Sequence, residues 1–80
     1  MKTIRIRYFA AFRDATGLSD ETVQTNADSL RALFEERLGA HAHLHHEAAA
    51  KVAVNDALVD WHEGFEEGDE VLFFPPVAGG

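Results

Sequence analysis

The stretch "KTIRIRYF" alternates apolar and polar positions. Ile4, Ile6 and Tyr8 fall on one side, and Thr3, Arg5, Arg7 and Phe9 on the other. A period of two predicts a strand with one buried face. "ETVQT", from Glu21 to Thr25, is short and β-branched and predicts a second strand. The residues between them, from Ala10 to Asp20, read as a loop or a helical turn, with Gly17 as a breaker. In "DSLRALFEERLG", Leu30, Leu33, Phe34 and Leu38 recur at the spacing of one helical face. Asp28 or Ser29 suits the N-terminal cap and Gly39 the C-terminal stop. The helix is expected from about Ser29 to Leu38.

"AHAHLHHEAAA" is biased toward His and Ala and reads as an irregular helix. "KVAVNDALV" predicts a hairpin, with Val52 and Val54 on one strand, Asn55-Asp56 at the turn and Leu58 on the return. "EEGDEVLFF" predicts a turn at Gly68-Asp69 and a last strand from Glu70 to Phe74. The resulting order is β, β, α, β, β, β. One apolar-faced helix covers only one face of such a sheet. The expected class is α+β, a mixed sheet with one main helix packed on one face. Residues 1–74 form the domain and residues 75–80 an extended tail.

Composition narrows the functions. Eighty residues make one domain, and fourteen acids against seven bases give a net charge of −7. That balance argues against nucleic acid or an anionic membrane as partner, and reads either as solubility alone or as a match to a partner with a basic docking surface. With no cysteine, thiol catalysis, zinc thiolates and iron–sulfur clusters are excluded. The same absence fits a reducing compartment. "MKTIRIRYFA" lacks the apolar run of a signal peptide, and no stretch approaches the roughly 18 apolar residues of a membrane span. A soluble, cytoplasmic protein is expected.

The candidate chemistry lies at the end of the chain, "FFPPVAGG". Pro75 and Pro76 cannot continue a central strand, because proline donates no ladder hydrogen bond. They also stiffen the exit. Val77, Ala78, Gly79 and Gly80 then narrow to bare backbone. Six residues from Pro75 reach about 20 Å when extended. Such a shape can thread a narrow channel and present a terminal carboxylate inside another protein; the other reading is a disordered terminus, which is common. Chance would place Gly-Gly at a chain end at roughly 0.5%, so the diglycine is a signal in its own right. Phe9 and Phe74 fall in phase on the face without helix. They read either as a docking patch among charges or as rings tucked under loops.

His41 and His45 would share a helical face and hold Zn²⁺ or Ni²⁺, with His46 or Glu47 nearby. The biased composition favours a solvated segment that also includes His43. Trp61 and His62 read as packing and surface. No nucleophile–base pair, phosphate loop or catalytic carboxylate pair shows a recognisable spacing. The chain is not expected to be an enzyme on its own.

"FFPPVAGG", preceded by "EEGDEV" and "VAVNDALV", together with "YFAAFRDATG" near the N-terminus, resembles the small subunit of molybdopterin synthase. The resemblance covers nearly the whole chain and is weakest from Ala40 to Ala50. It implies a ubiquitin-like β-grasp fold and a sulfur carrier. The Gly80 carboxylate would be adenylated by a ubiquitin-activating-type adenylyltransferase, which supplies ATP and Mg²⁺. This chain would bind no cofactor. A thiocarboxylate would follow, and its sulfur would pass to cyclic pyranopterin monophosphate in the large synthase subunit. By motif match, Phe9, Arg13, Leu58 and Phe74 fall at partner-contact positions. Arg13 reads equally as an ion-pair partner or a surface charge. Three alternatives remain open: the thiazole-forming sulfur carrier of thiamine synthesis, a ubiquitin-like protein modifier, and a metal-binding protein using the histidines.

Overall fold

A computed structural model describes residues 1–44 and 49–75. The elements are β1 (Lys2–Tyr8), α1 (Ala10–Thr16), β2 (Asp20–Thr25), α2 (Leu30–Ala40), β3 (Lys51–Val54), β4 (Ala57–Val59) and β5 (Glu70–Phe74). The five strands form one mixed sheet in the order β2-β1-β5-β3-β4. β1 runs antiparallel to β2, and β3 runs antiparallel to both β4 and β5. The central pair, β1 and β5, is parallel, with Ile6 opposite Val71 and Tyr8 opposite Phe73.

The alternation of β1 does what its period implies. Ile4, Ile6 and Tyr8 are buried, whereas Arg5 and Arg7 are exposed. They meet Val52, Val71 and Phe73 from the neighbouring strands and Leu30, Leu33 and Phe34 from α2. The Phe34 ring meets Phe73 edge-on at 4.8 Å, and Trp61 stacks on Phe73 at 5.9 Å. The Trp61 indole donates to the Ala50 carbonyl at 3.2 Å, which satisfies its polar edge at the rim of the core.

Local signals explain most boundaries. Ser29 caps α2, its hydroxyl accepting from the Ala32 N–H at 3.2 Å. The stretch after β1 is a true helix, α1. It ends at Gly17, whose φ of +75° allows its N–H to reach the Arg13 carbonyl. The β3–β4 turn holds Asn55 and Asp56 at φ of +50° and +73°. Positive φ at both central residues is what a tight right-twisted hairpin requires. The Asn55 amide also donates to Asp69 Oδ1 and accepts from the Glu70 N–H, each at 3.0 Å, and so ties that turn to the start of β5.

Two expectations need correcting. Gly39 does not stop α2. The helix continues through it to Ala40, and His41 is the cap, its N–H bonded to the Arg37 carbonyl. The physical reason is tertiary, because the His41 side chain is held by an acid on β2. The irregular helix expected after α2 is not seen at residues 41–44 or 49–50. Leu44 and Ala50 are instead buried against the core. His45, His46 and Glu47 lie outside the described residues.

Candidate functional site

The residues on the face of the sheet away from α2 fall into rows. Arg7 on β1 lies opposite Leu72 on β5, Leu72 opposite Ala53 on β3, and Ala53 opposite Leu58 on β4. Leu72 and Ala53 are buried, but Leu58 at the sheet margin is 70% exposed. A neighbouring row pairs Phe74 with Lys51. Beyond the last β1–β5 pair, Phe9 and Phe74 meet on the same face. Their rings stack 4.6 Å apart at 14°. Both are half-buried, so the two readings of these aromatics merge: each partly covers the other, and the pair still reaches solvent.

Of the residues singled out by sequence, the structure brings Phe9 and Phe74 into contact. It places Leu58 on their face, two strands away. Arg13 sits on α1, one turn after Phe9, with its N–H directed to the Phe9 carbonyl at 3.4 Å. Its side chain is exposed and pairs with no acid among the described residues. Pro75 continues from β5 and is half-buried. Pro76, Val77, Ala78, Gly79 and Gly80 lie outside the described residues.

The charge of this face differs from what the net charge suggests. Arg5, Arg7 and Lys51 are exposed on it, interspersed with Asp20 and Glu70. The approach to β5 carries a denser acidic group, with Asp60, Glu63, Glu66, Glu67 and Asp69 within ten residues. The charge of this face is therefore nearly balanced around an apolar strip, not the −7 of the whole chain.

One polar cluster was not legible as a unit. Glu21 on β2 accepts from the Tyr8 hydroxyl at 2.5 Å, and the His41 Nε2 lies 2.8 Å from the same oxygen. Arg37 reaches the other oxygen at 3.7 Å. Burial disfavours the Glu21 charge, but the hydrogen bonds from Tyr8 and His41 and the nearby positive charges outweigh it. The net effect holds the carboxyl below its usual range. The Tyr8 phenol is pushed well up, first by burial and then by the bond to Glu21. The signal available in sequence was Tyr8 on a buried stripe, since a buried phenol needs a partner. His41 is thus not part of a solvated segment; it closes the end of α2 onto β2. Among the described residues, no group of three metal-ligating side chains converges, and no helix is long and apolar enough to cross a membrane.

A mixed five-stranded sheet with one main helix on one face, and a proline exit at the end of its central strand, defines a ubiquitin-like β-grasp domain. Residues 6–80 match the ThiS family. The chain is 31% identical to the molybdopterin synthase sulfur carrier subunit of Escherichia coli over 80 residues, 96% of this chain and 99% of that protein. A solved structure from Pyrococcus furiosus described as molybdopterin converting factor subunit 1 has a TM-score of 0.82 and 31% identity. It covers 96% of this chain and 100% of its own. The small archaeal modifier protein 1 of Haloferax volcanii has a TM-score of 0.83 at 22% identity, covering 96% and 100%, and so shares the fold. This chain belongs to the ThiS family of ubiquitin-like sulfur carriers.

Proposed function

We propose that the chain is the sulfur-donating small subunit of a molybdopterin synthase and acts through the Gly80 carboxylate. The observation that carries this reading is the 31% identity over nearly the full length to a sulfur carrier subunit. The Phe9–Phe74 stack at the root of the tail supports it.

A carboxylate is a poor electrophile. Adenylation by an activating enzyme, at the expense of ATP with Mg²⁺, converts it to an acyl-adenylate with loss of pyrophosphate. A sulfur nucleophile then displaces AMP and leaves a thiocarboxylate. In the large subunit this sulfur attacks the pterin precursor, and water then cleaves the acyl–sulfur bond, which leaves the sulfur on the pterin and returns the Gly80 carboxylate. A dry, narrow pocket protects the thiocarboxylate from water. The chain's own part is to dock, through Phe9, Phe74, Leu58 and Arg13, and to hold the tail of residues 75–80 toward the partner. It has no cysteine to carry sulfur, so the terminus is the carrier. On this reading both partners meet the protein in the cytoplasm.

The test is reconstitution with activating enzyme, ATP, Mg²⁺, a sulfide donor, large subunit and pterin precursor. Intact mass should rise by the exchange of one oxygen for sulfur, localised to the C-terminal peptide. Deleting Gly80, or adding one alanine after it, should abolish this product. The added residue shifts the reacting atom by about 3.5 Å, and about 1 Å already costs about a hundredfold. Normal transfer by the extended protein would refute the reading.

The fold shared with an archaeal modifier protein favours a second reading, conjugation of Gly80 to target lysines. Gly80-linked lysine peptides in cell extract would support it. Delivery of sulfur to a thiazole precursor, and not to the pterin, would point instead to the thiamine carrier.

A further inference from the structure

We propose that Arg7 is a positioning residue for the tail: it steadies the Phe9–Phe74 stack and thereby the direction in which the chain leaves β5 at Pro75. The inference rests on the carrier reading above and adds a residue to it. Arg7 is on β1 and Phe9 lies two positions on, just past its end with an extended backbone, so the two share the face away from α2. The Arg7 guanidinium lies over the Phe9 ring, 5.4 Å from its centroid. Phe9 in turn stacks on Phe74 at 4.6 Å. The contact series Arg7–Phe9–Phe74 therefore ends at the last strand residue before the prolines.

The base of this series is rigid. Arg7 is held between Asp20 and Leu72 in the sheet register. The Phe9 carbonyl accepts from the Phe12 N–H at 3.0 Å and from the Arg13 N–H, which fixes Phe9 as the cap of α1. Phe74 is the last residue of β5, paired with Lys51, and the chain leaves the sheet directly after it. It precedes a proline, which already limits it to extended conformations. Clamping its ring removes much of the freedom that remains.

The lever explains why this matters. Six residues would reach about 20 Å if extended, so a swing of about 10° at the base would move the end of such a tail by about 3.5 Å. Once the tail is inside a partner, the partner's walls guide it. The clamp acts earlier, by lowering the ordering cost of insertion. Its loss should therefore raise KM for the carrier and leave kcat nearly unchanged.

The test uses the full chain. In the isolated protein, Arg7→Gln should lower the ¹H–¹⁵N heteronuclear NOE of the Phe74 amide and shift the Pro75 resonances, with far-UV dichroism unchanged. In reconstituted transfer, Arg7→Gln should raise KM about two- to fivefold, the size of an exposed cation–π contact. kcat should change less than about twofold, and Arg7→Lys should restore most of the loss. In a Phe9→Leu background, Arg7→Gln should have no further effect on either readout. If Arg7→Gln still raises KM in that background, Arg7 touches the partner directly and the proposal is overturned. An unchanged Phe74 NOE in Arg7→Gln overturns it as well. Failure of the wild-type chain to accept sulfur would overturn the carrier reading instead, and the NOE comparison still decides the clamp by itself.

Discussion

Replacing Phe73 and Phe74 by alanine, one at a time, separates the core from the docking face within two adjacent residues. Phe73 is fully buried and touches the rings of Tyr8, Phe34 and Trp61. Emptying that site should cost about 3–5 kcal/mol. An 80-residue domain has a total of only about 4–12 kcal/mol, so Phe73→Ala should lose a large share of its stability. Phe74 is half-buried, and its ring stacks on Phe9. Losing that stack costs about 0.5–1.5 kcal/mol, and half of a phenylalanine's burial about 1 kcal/mol more. A total near 2 kcal/mol lowers the Tm by about 8–16 °C for a domain of this size. Trp61, the single tryptophan, stacks on Phe73 and reports unfolding by fluorescence in a urea titration. Calorimetric titration of the folded Phe74→Ala protein with the large synthase subunit should show binding weakened by tenfold or more, because an aromatic anchor is removed from the face. The reasoning is refuted if Phe74→Ala loses as much stability as Phe73→Ala. It is equally refuted if the variant binds the partner at wild-type strength.

Other outcomes follow from the polar cluster and the turns. The Glu21 carboxyl is held below its usual range, so its contribution to stability is present above the unfolded value, near pH 4.3, and fades as pH falls through the lower folded value. Glu21→Gln should flatten the acid side of the stability–pH curve, and an unchanged acid limb in urea midpoints between pH 2 and 6 would contradict the cluster's role. Tyr8→Phe removes a hydrogen bond to a charged acceptor and should cost about 1.5–3 kcal/mol, read from the same titration. Among the histidines, His41→Gln should lower the Tm, whereas the combined His43, His45 and His46→Gln protein should match wild type in Tm and in sulfur transfer. A zinc-restorable loss of transfer in that triple variant would revive the metal reading. Asp56→Gly relieves a left-handed backbone at φ of +73° and should raise stability by about 0.5–1 kcal/mol, measured as a higher urea midpoint.

The sequence by itself determined the elements whose causes are local. Alternation over Lys2–Tyr8 requires a strand with Ile4, Ile6 and Tyr8 inside, because successive side chains of a strand point to opposite faces. Ser29 caps α2, and Asn55-Asp56 turns the hairpin, because their own side chains and backbone preferences act within a few residues. The same holds for Pro75, which follows the last residue of β5 and ends the strand through a property of proline alone. What only the tertiary structure decided depends on contacts that no spacing encodes. His41 and Glu21 are 20 residues apart, yet their contact holds the end of α2 where Gly39 seemed the natural stop. Phe9 and Phe74 share a face by phase, but their stacking requires β1 and β5 to be parallel neighbours. The β5–β3 and β3–β4 registers in turn set Leu58 level with Leu72. Parallel neighbours need a long crossover, and here residues 9–69 separate the two strands.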